Sequence, residues 1–284
     1  MPVARGANLG SLHKREERNK SANEPNGRSC MFSHQYLDEI RMLELEIILP
    51  LFPPGARILE IGGGTGRQAL ELSRRGFDVM PIDLASSSYA AHRVFPIVDY
   101  DGTTIPLSDA SVDLVFSSNV LEHVPDLARM HSEIRRVLKP DGRCIHVLPT
   151  HAWRFWTILA GYPDAVGYLL TGAPSLLPRA LPGGPERRRL AAAWYQTARN
   201  VGGRLLPPRH GARGYTISEI RLFHPSWWRR NFRENGLTIT HDAPTGLFHT
   251  GNMLLGPRLD AARRRQLAAV LGSTGHVFEL RPLP

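Results

Sequence analysis

The stretch Ile58-Leu59-Glu60-Ile61-Gly62-Gly63-Gly64-Thr65-Gly66 joins a run of branched and apolar residues to a glycine turn, with an acid at the junction. Positions 58, 59 and 61 read as a buried strand. The glycines at 62, 64 and 66 let the backbone turn sharply and approach a ligand, and residues 68–72 start a helix. Strand, tight turn and helix in this order make a nucleotide site. The glycines alone leave its ligand open, because Gly64-x-Gly66-x-x-Ala69 also satisfies the looser fingerprint of nicotinamide and flavin dinucleotide enzymes. Glu60 weighs against a dinucleotide: a diphosphate repels an acid at the strand tip, whereas a nucleoside ligand bearing positive charge is attracted to it.

Downstream, Phe77-Asp78-Val79-Met80-Pro81-Ile82-Asp83 reads as a second strand ending in an acid 21 positions after Gly62. A doubly wound fold places a carboxylate there to accept the ribose hydroxyls, whichever cofactor is bound. Residues 112–119 read as a fourth strand, Leu127 to Leu138 as a helix, and Lys139-Pro140-Asp141-Gly142 as its stop before a fifth strand at 143–148. Taken with the acid-x-Gly-x-Gly-x-Gly order, residues 55–150 resemble the class I S-adenosylmethionine (SAM) dependent methyltransferases of small-molecule type. The resemblance also rests on Asp101-Gly102 ahead of the apolar-Pro-apolar triplet Ile105-Pro106-Leu107.

That resemblance implies SAM as cofactor, with Glu60 near the methionine ammonium, Gly62, Gly64 and Gly66 at the carboxypropyl end and Asp83 on the ribose. It puts Asp101 and Gly102 at the adenine and Asn119 beside the methionine moiety. Without its neighbours Asp101 reads as an ordinary turn residue. One departure is the middle Gly63, where the family more often carries a larger residue.

With 284 residues at 42% hydrophobic, one catalytic domain with a sizeable core plus additions is expected. Cys30 and Cys144 lie far apart, one in a polar tail and one in a predicted buried strand, which suits unpaired thiols in a reducing interior. The twelve histidines show no ligand spacing, so no metal is expected. Residues 1–26 lack the apolar core of a signal peptide, and the expectation is a cytoplasmic protein whose residues 1–30 form a disordered basic tail.

The net charge of +9 is unevenly spread: residues 31–150 carry eleven basic and sixteen acidic side chains, whereas 151–215 carry nine arginines against Asp164 and Glu186. A basic Pro/Gly-rich insertion at 151–215 fits a small-molecule, glycan or lipid-like acceptor bearing negative charge, and also RNA. Arg187, Arg188 and Arg189 read equally as a solvated helix face. The apolar stretch from Phe155 to Pro178 is interrupted by proline and glycine, which predicts a substrate-covering lid or an interfacial element touching a membrane, not a span.

Apolar residues at helical spacing over 33–50 predict an N-terminal helix beside the sheet; it offers His34 and Tyr36 as side chains in reach of the cofactor, with packing the plainer role for each. A helix at 226–232 and strands at 237–240 and near 252–255 complete the expected architecture. It is a doubly wound, Rossmann-like α/β fold of seven strands with helices on both faces, the methyltransferase domain running over 31–256. Residues 257–284 then form a C-terminal basic extension with a helix over 258–271.

Methyl transfer is an in-line displacement dominated by positioning, and a histidine base helps where the nucleophile carries a proton. His123 after strand four and His151 after strand five are the catalytic candidates. His210 and His224 could approach from the insertion, and His146 reads as core. An RNA methyltransferase and an NAD-dependent oxidoreductase are the alternative functions.

Overall fold

The computed structural model describes residues 34–172, 184–250 and 258–283. Seven strands form one sheet: β1 (Arg57–Ile61), β2 (Asp78–Leu84), β3 (Val98–Tyr100), β4 (Val112–Ser118), β5 (Leu138–Pro149), β6 (Leu237–Pro244) and β7 (Gly275–Pro282), in spatial order β3-β2-β1-β4-β5-β7-β6. The first five run parallel, and β7 is antiparallel to both β5 and β6. The doubly wound expectation holds.

Strand β1 shows why. Ile58, Leu59, Glu60 and Ile61 are all buried, as a central parallel strand covered on both faces must be. Alternate residues serve opposite layers: Leu59 and Ile61 join Val115, Met130, Ile134 and Phe232 on one face, while Ile58 joins Leu45, Leu72, Leu114 and Phe116 on the other. The first layer is covered by α3 (Leu127–Val137) and α7 (Pro225–Glu234), the second by α1 (His34–Ile48) and α2 (Arg67–Arg74). Asp126 caps α3 by accepting the Arg129 amide at 3.0 Å. His146 is fully buried, its Nδ1 lying 2.8 Å from Ser117 Oγ, the core role expected of it.

Three expectations need correction. The seventh strand comes from 275–282, inside the segment expected to be a C-terminal extension. The sheet therefore does not close by residue 256; the strand expected near 252–255 lies outside the described residues. Burial from Gly275 to Leu280 hides the alternation that would have announced this strand. The helix ahead of it, α8 (Ala261–Leu271), is not an appendage, because Arg264 is buried and donates to Phe248 O at 3.2 Å and to Tyr36 Oη at 3.3 Å. Second, β5 begins at Leu138 and carries the Lys-Pro-Asp-Gly turn within its span, its register against β4 shifting between Val112 and Leu114.

Third, proline does not break residues 151–172. They form α4 (His151–Gly172) with Pro163 inside, beside α5 (Gly184–Leu205), and a five-residue helix α6 (Ser218–Leu222) follows. The lost hydrogen bond is offset by packing. A Cβ on Gly161 would lie 1.9 Å from the Arg204 carbonyl oxygen, so the two helices meet backbone to backbone there, and Arg204 pairs with Asp164 at 2.8 Å. Among the described residues no helix is long and apolar enough to cross a membrane.

Candidate active site at the carboxyl edge of the sheet

Four neighbouring strands end side by side, and each delivers one candidate. Asp101 follows β3, Asp83 sits at the end of β2, Gly62 follows β1 and Asn119 follows β4. At the spacing of paired strands this row spans roughly 14 Å. The strand order, not the chain order, sets the sequence of contacts along the row.

Hydrogen bonds and crowding fix the glycine loop. The amides of Gly62 and Gly63 both donate to Ile82 O, at 2.8 and 3.0 Å, and the Gly64 amide donates to Asp83 Oδ2 at 3.0 Å. Gly62 and Gly66 have φ of +76° and +79°, and a Cβ on either would meet Val120 at 2.4 Å or Phe95 at 2.8 Å. Gly63 explains its own departure from the family habit: its Cβ would lie 2.8 Å from that of Pro81, the residue paired with Glu60 across the sheet. Gly64 is different. Its φ is +56°, yet nothing lies nearer than 3.9 Å, so its missing side chain leaves room for a ligand.

A cleft of about 510 Å³ opens over this row, within the range of small-molecule sites. Gly62, Gly64, Asp83, Asp101, Gly102 and Asn119 line it. Glu60 and Gly66 lie behind the wall. Glu60 is 2% exposed, its Oε2 has no hydrogen-bond partner, and burial, helped by the Asp83 charge, pushes its carboxyl up to about 8. Asp101 accepts the amides of Thr103 and Thr104 at 2.7 and 2.8 Å, and these bonds hold its carboxyl below the usual range. Its turn role and its place in the cleft wall coexist. Asn119 sits at φ +55°, a conformation asparagine tolerates, with its amide tied to Val147 O at 2.8 Å.

Helix α1 supplies wall residues that sequence reading missed, namely Leu37, Asp38 and Arg41. Asp38 is held by Arg67 at 2.9 Å and Thr65 Oγ1 at 3.2 Å, which ties the helix to the glycine loop. Tyr36 instead packs, 3% exposed, and the His34 side chain lies outside those described.

The two histidine candidates part company. His123 lines the cleft, whereas His151 lines a separate pocket of about 270 Å³ with His224 and Trp227. His123 belongs to a cluster that no spacing announced. Glu122 is 1% exposed, neither carboxylate oxygen is hydrogen-bonded to another described residue, and burial pushes it up to about 8. Its Oε1 lies 3.7 Å from His123 Nε2 and 3.9 Å from His210 Nε2, and the ligand atoms of the three residues all fall within 4.8 Å of one another.

A strap over 207–216 holds His210 there. Glu219 accepts the amides of His210 and Gly211 at 2.7 and 2.6 Å and pairs with buried Arg154 at 2.9 Å, while Arg213 donates to Leu121 O at 3.1 Å and to Val124 O. Burial, with the His123 charge adding to it, pushes His210 down to about 3, and burial lowers His123 as well. Trp153 is buried against His210 with ring centroids 4.6 Å apart, and Trp156 donates to Leu271 O at 2.9 Å, so neither is a cleft residue.

A family profile described as "Methyltransferase domain" matches residues 59–146. An uncharacterized methyltransferase of Mycobacterium sp. (strain KMS) is 36% identical over 97 residues, 33% of this chain and 38% of that protein, so the match spans little more than a third of that relative. The ubiquinone biosynthesis O-methyltransferase of Hahella chejuensis is 30% identical over 177 residues, 57% of this chain and 70% of that protein. A SAM dependent methyltransferase from Aquifex aeolicus superimposes with a TM-score of 0.47 at 14% identity, covering 89% of this chain and 98% of that one.

The chain belongs to the class I SAM-dependent methyltransferases. SAM is the cofactor of that class, and the nicotinamide reading falls away. The cleft fits this group: a buried carboxylate with one oxygen unpartnered among the described residues lies behind the loop, and Gly64 leaves open the space a side chain would fill.

Proposed function

We propose that this protein transfers the methyl group of SAM to a protonated nucleophile on a small-molecule or lipid-like acceptor, with His123 receiving the proton. The observation that carries this reading is the single cleft shared by Asp83, Asp101, Gly64, Asn119 and His123. When bound, SAM supplies an electrophilic methyl on a positively charged sulfur. The remaining tasks belong to the chain.

Asp83 would accept the ribose hydroxyls with the lone pairs its two backbone bonds leave. Asp101 and Gly102 would meet the adenine, the Gly62 to Gly64 backbone the carboxypropyl end, and Asn119 the methionine moiety. Glu60 would act through the loop: a buried acid at about 8 becomes ionised as the ligand's ammonium approaches, and its charge then favours the cation. Partial desolvation and then the positive Arg213 lower the pKa of His123, whose side chain is still 45% exposed, and so favour the neutral imidazole that accepts a proton. A hydroxyl acceptor agrees with the Hahella relative, which is named as an O-methyltransferase of ubiquinone biosynthesis.

Calorimetry with SAM, S-adenosylhomocysteine and NAD, then transfer of labelled methyl to a panel of phenols and amines, tests the reading. Saturable binding of the first two and label on a phenol or amine support it. Saturation by NAD alone would overturn it.

A further inference from the structure

Phe155, Leu159, Tyr162, Val166 and Leu169 on α4 are all exposed, with Leu170 beside them at 72%. Their alternating spacing of four and three residues sets them on one face of the helix. The other face, with Trp153, Thr157, Ala160 and Ala165, is buried. A helix apolar on both sides belongs inside a protein or in lipid, yet α4 lies at the surface.

Helix α5 packs antiparallel beside it, Arg204 against Asp164 and Asn200 Nδ2 donating to Tyr168 Oη at 2.9 Å. This register carries Arg187, Arg188 and Arg189 past the carboxyl end of α4. These three and Arg199 are exposed and make no ion pair with another described residue, and Glu186 is the one acid of α5. Trp194 and Tyr195, also on α5, are 42% and 66% exposed.

We propose that the α4–α5 hairpin docks this protein on an anionic lipid surface, the apolar stripe entering the headgroup boundary and the arginines meeting the phosphates. Apolar length too short to span, aromatic residues and arginines without an ion pair among the described residues together describe a helix pair that lies on a bilayer. Charge selects lipid over a second copy of the chain, because self-association would bring two sets of arginines together, whereas an anionic surface complements them. The proposal does not rest on the acceptor reading.

The test is co-sedimentation of the full chain with phosphatidylcholine vesicles, with and without phosphatidylglycerol, at physiological salt. Binding to the anionic vesicles is expected. Replacing Arg187, Arg188 and Arg189 together by Gln should lower it on the order of 100-fold, about five-fold per arginine. Val166→Glu with Leu170→Glu should lower it by at least about ten-fold. Both variants alter exposed positions and should keep SAM affinity by calorimetry, which separates this test from that of the methyltransferase reading. No binding to either vesicle, binding undiminished in Val166→Glu/Leu170→Glu, or a dimer in sedimentation velocity that this variant dissociates would each overturn the proposal.

Discussion

The two ends of the cleft, one at the glycine loop and one at His123, are built in opposite ways. Around Gly62, Asp83, Asp101 and Asn119, each wall residue sits at or just past the end of its own strand, held by backbone bonds such as Gly62 and Gly63 to Ile82 O. Around His123 the wall depends on chain far away: His210 and Arg213 arrive from the strap, and Arg154 and Glu219 brace it from α4 and α6. The first is a rigid frame that can be read locally. The second rests on residues 151–222 and can be altered there while the frame stays intact, the general way in which one fold comes to take different substrates.

Gly64→Val should give the largest effect, abolishing SAM binding in calorimetry while the thermal melt shows a folded domain. The new side chain would occupy the cleft at φ +56°, where a β-branched residue is strained, although its Cβ alone would meet nothing nearer than 3.9 Å. Retained affinity would place the cofactor elsewhere. His123→Ala should lower kcat by about 100-fold or more with SAM affinity unchanged, whereas His151→Ala, altering the separate pocket, should leave kcat within about three-fold. Equal losses would erase the distinction between the two histidines.

Asp83→Ala should cost about 1.5–3 kcal/mol of SAM affinity by removing charge-assisted hydrogen bonds. An unchanged Kd would contradict the ribose contact. The smallest effect concerns pH. Glu60 and Glu122 sit at about 8 in the folded protein against an ordinary value of 4.5, so the folded state keeps protons that the unfolded chain gives up. Their stabilising share is complete below about pH 4.5 and is lost as pH rises through 8, at up to about 1.4 kcal/mol per pH unit for each group. Thermal melts from pH 6 to 8 should therefore fall less steeply for Glu122→Gln than for the wild type. Identical slopes would mean Glu122 is ionised in the fold.

The frame was legible because its requirements are local. Three alternating glycines, an acid at each of two strand tips and an apolar run buried on both faces leave few other structures. The resemblance to the methyltransferases then carried Asp101 and Gly102. What escaped had no local signature. β7 is buried from Gly275 to Leu280 and so lost its period-two pattern, and Pro163 promised a break that packing against α5 prevented. Glu122, His123 and His210 stand 88 positions apart at the extremes, with no regular spacing to link them. Nothing in the helical spacing of 34–48 marks Arg41, which the packing of α1 brings to the cleft wall.

The residues alone determined the strand–glycine–helix start, the acid beneath it and the carboxylate one strand over, because backbone sterics and short-range charge are set within a few positions. Only the tertiary structure decided which histidine faces the cleft, where the sheet ends and which apolar side chains of α4 are exposed. Those outcomes come from which distant surfaces pack together, and the free energy of burial depends on neighbours that the order of residues does not name.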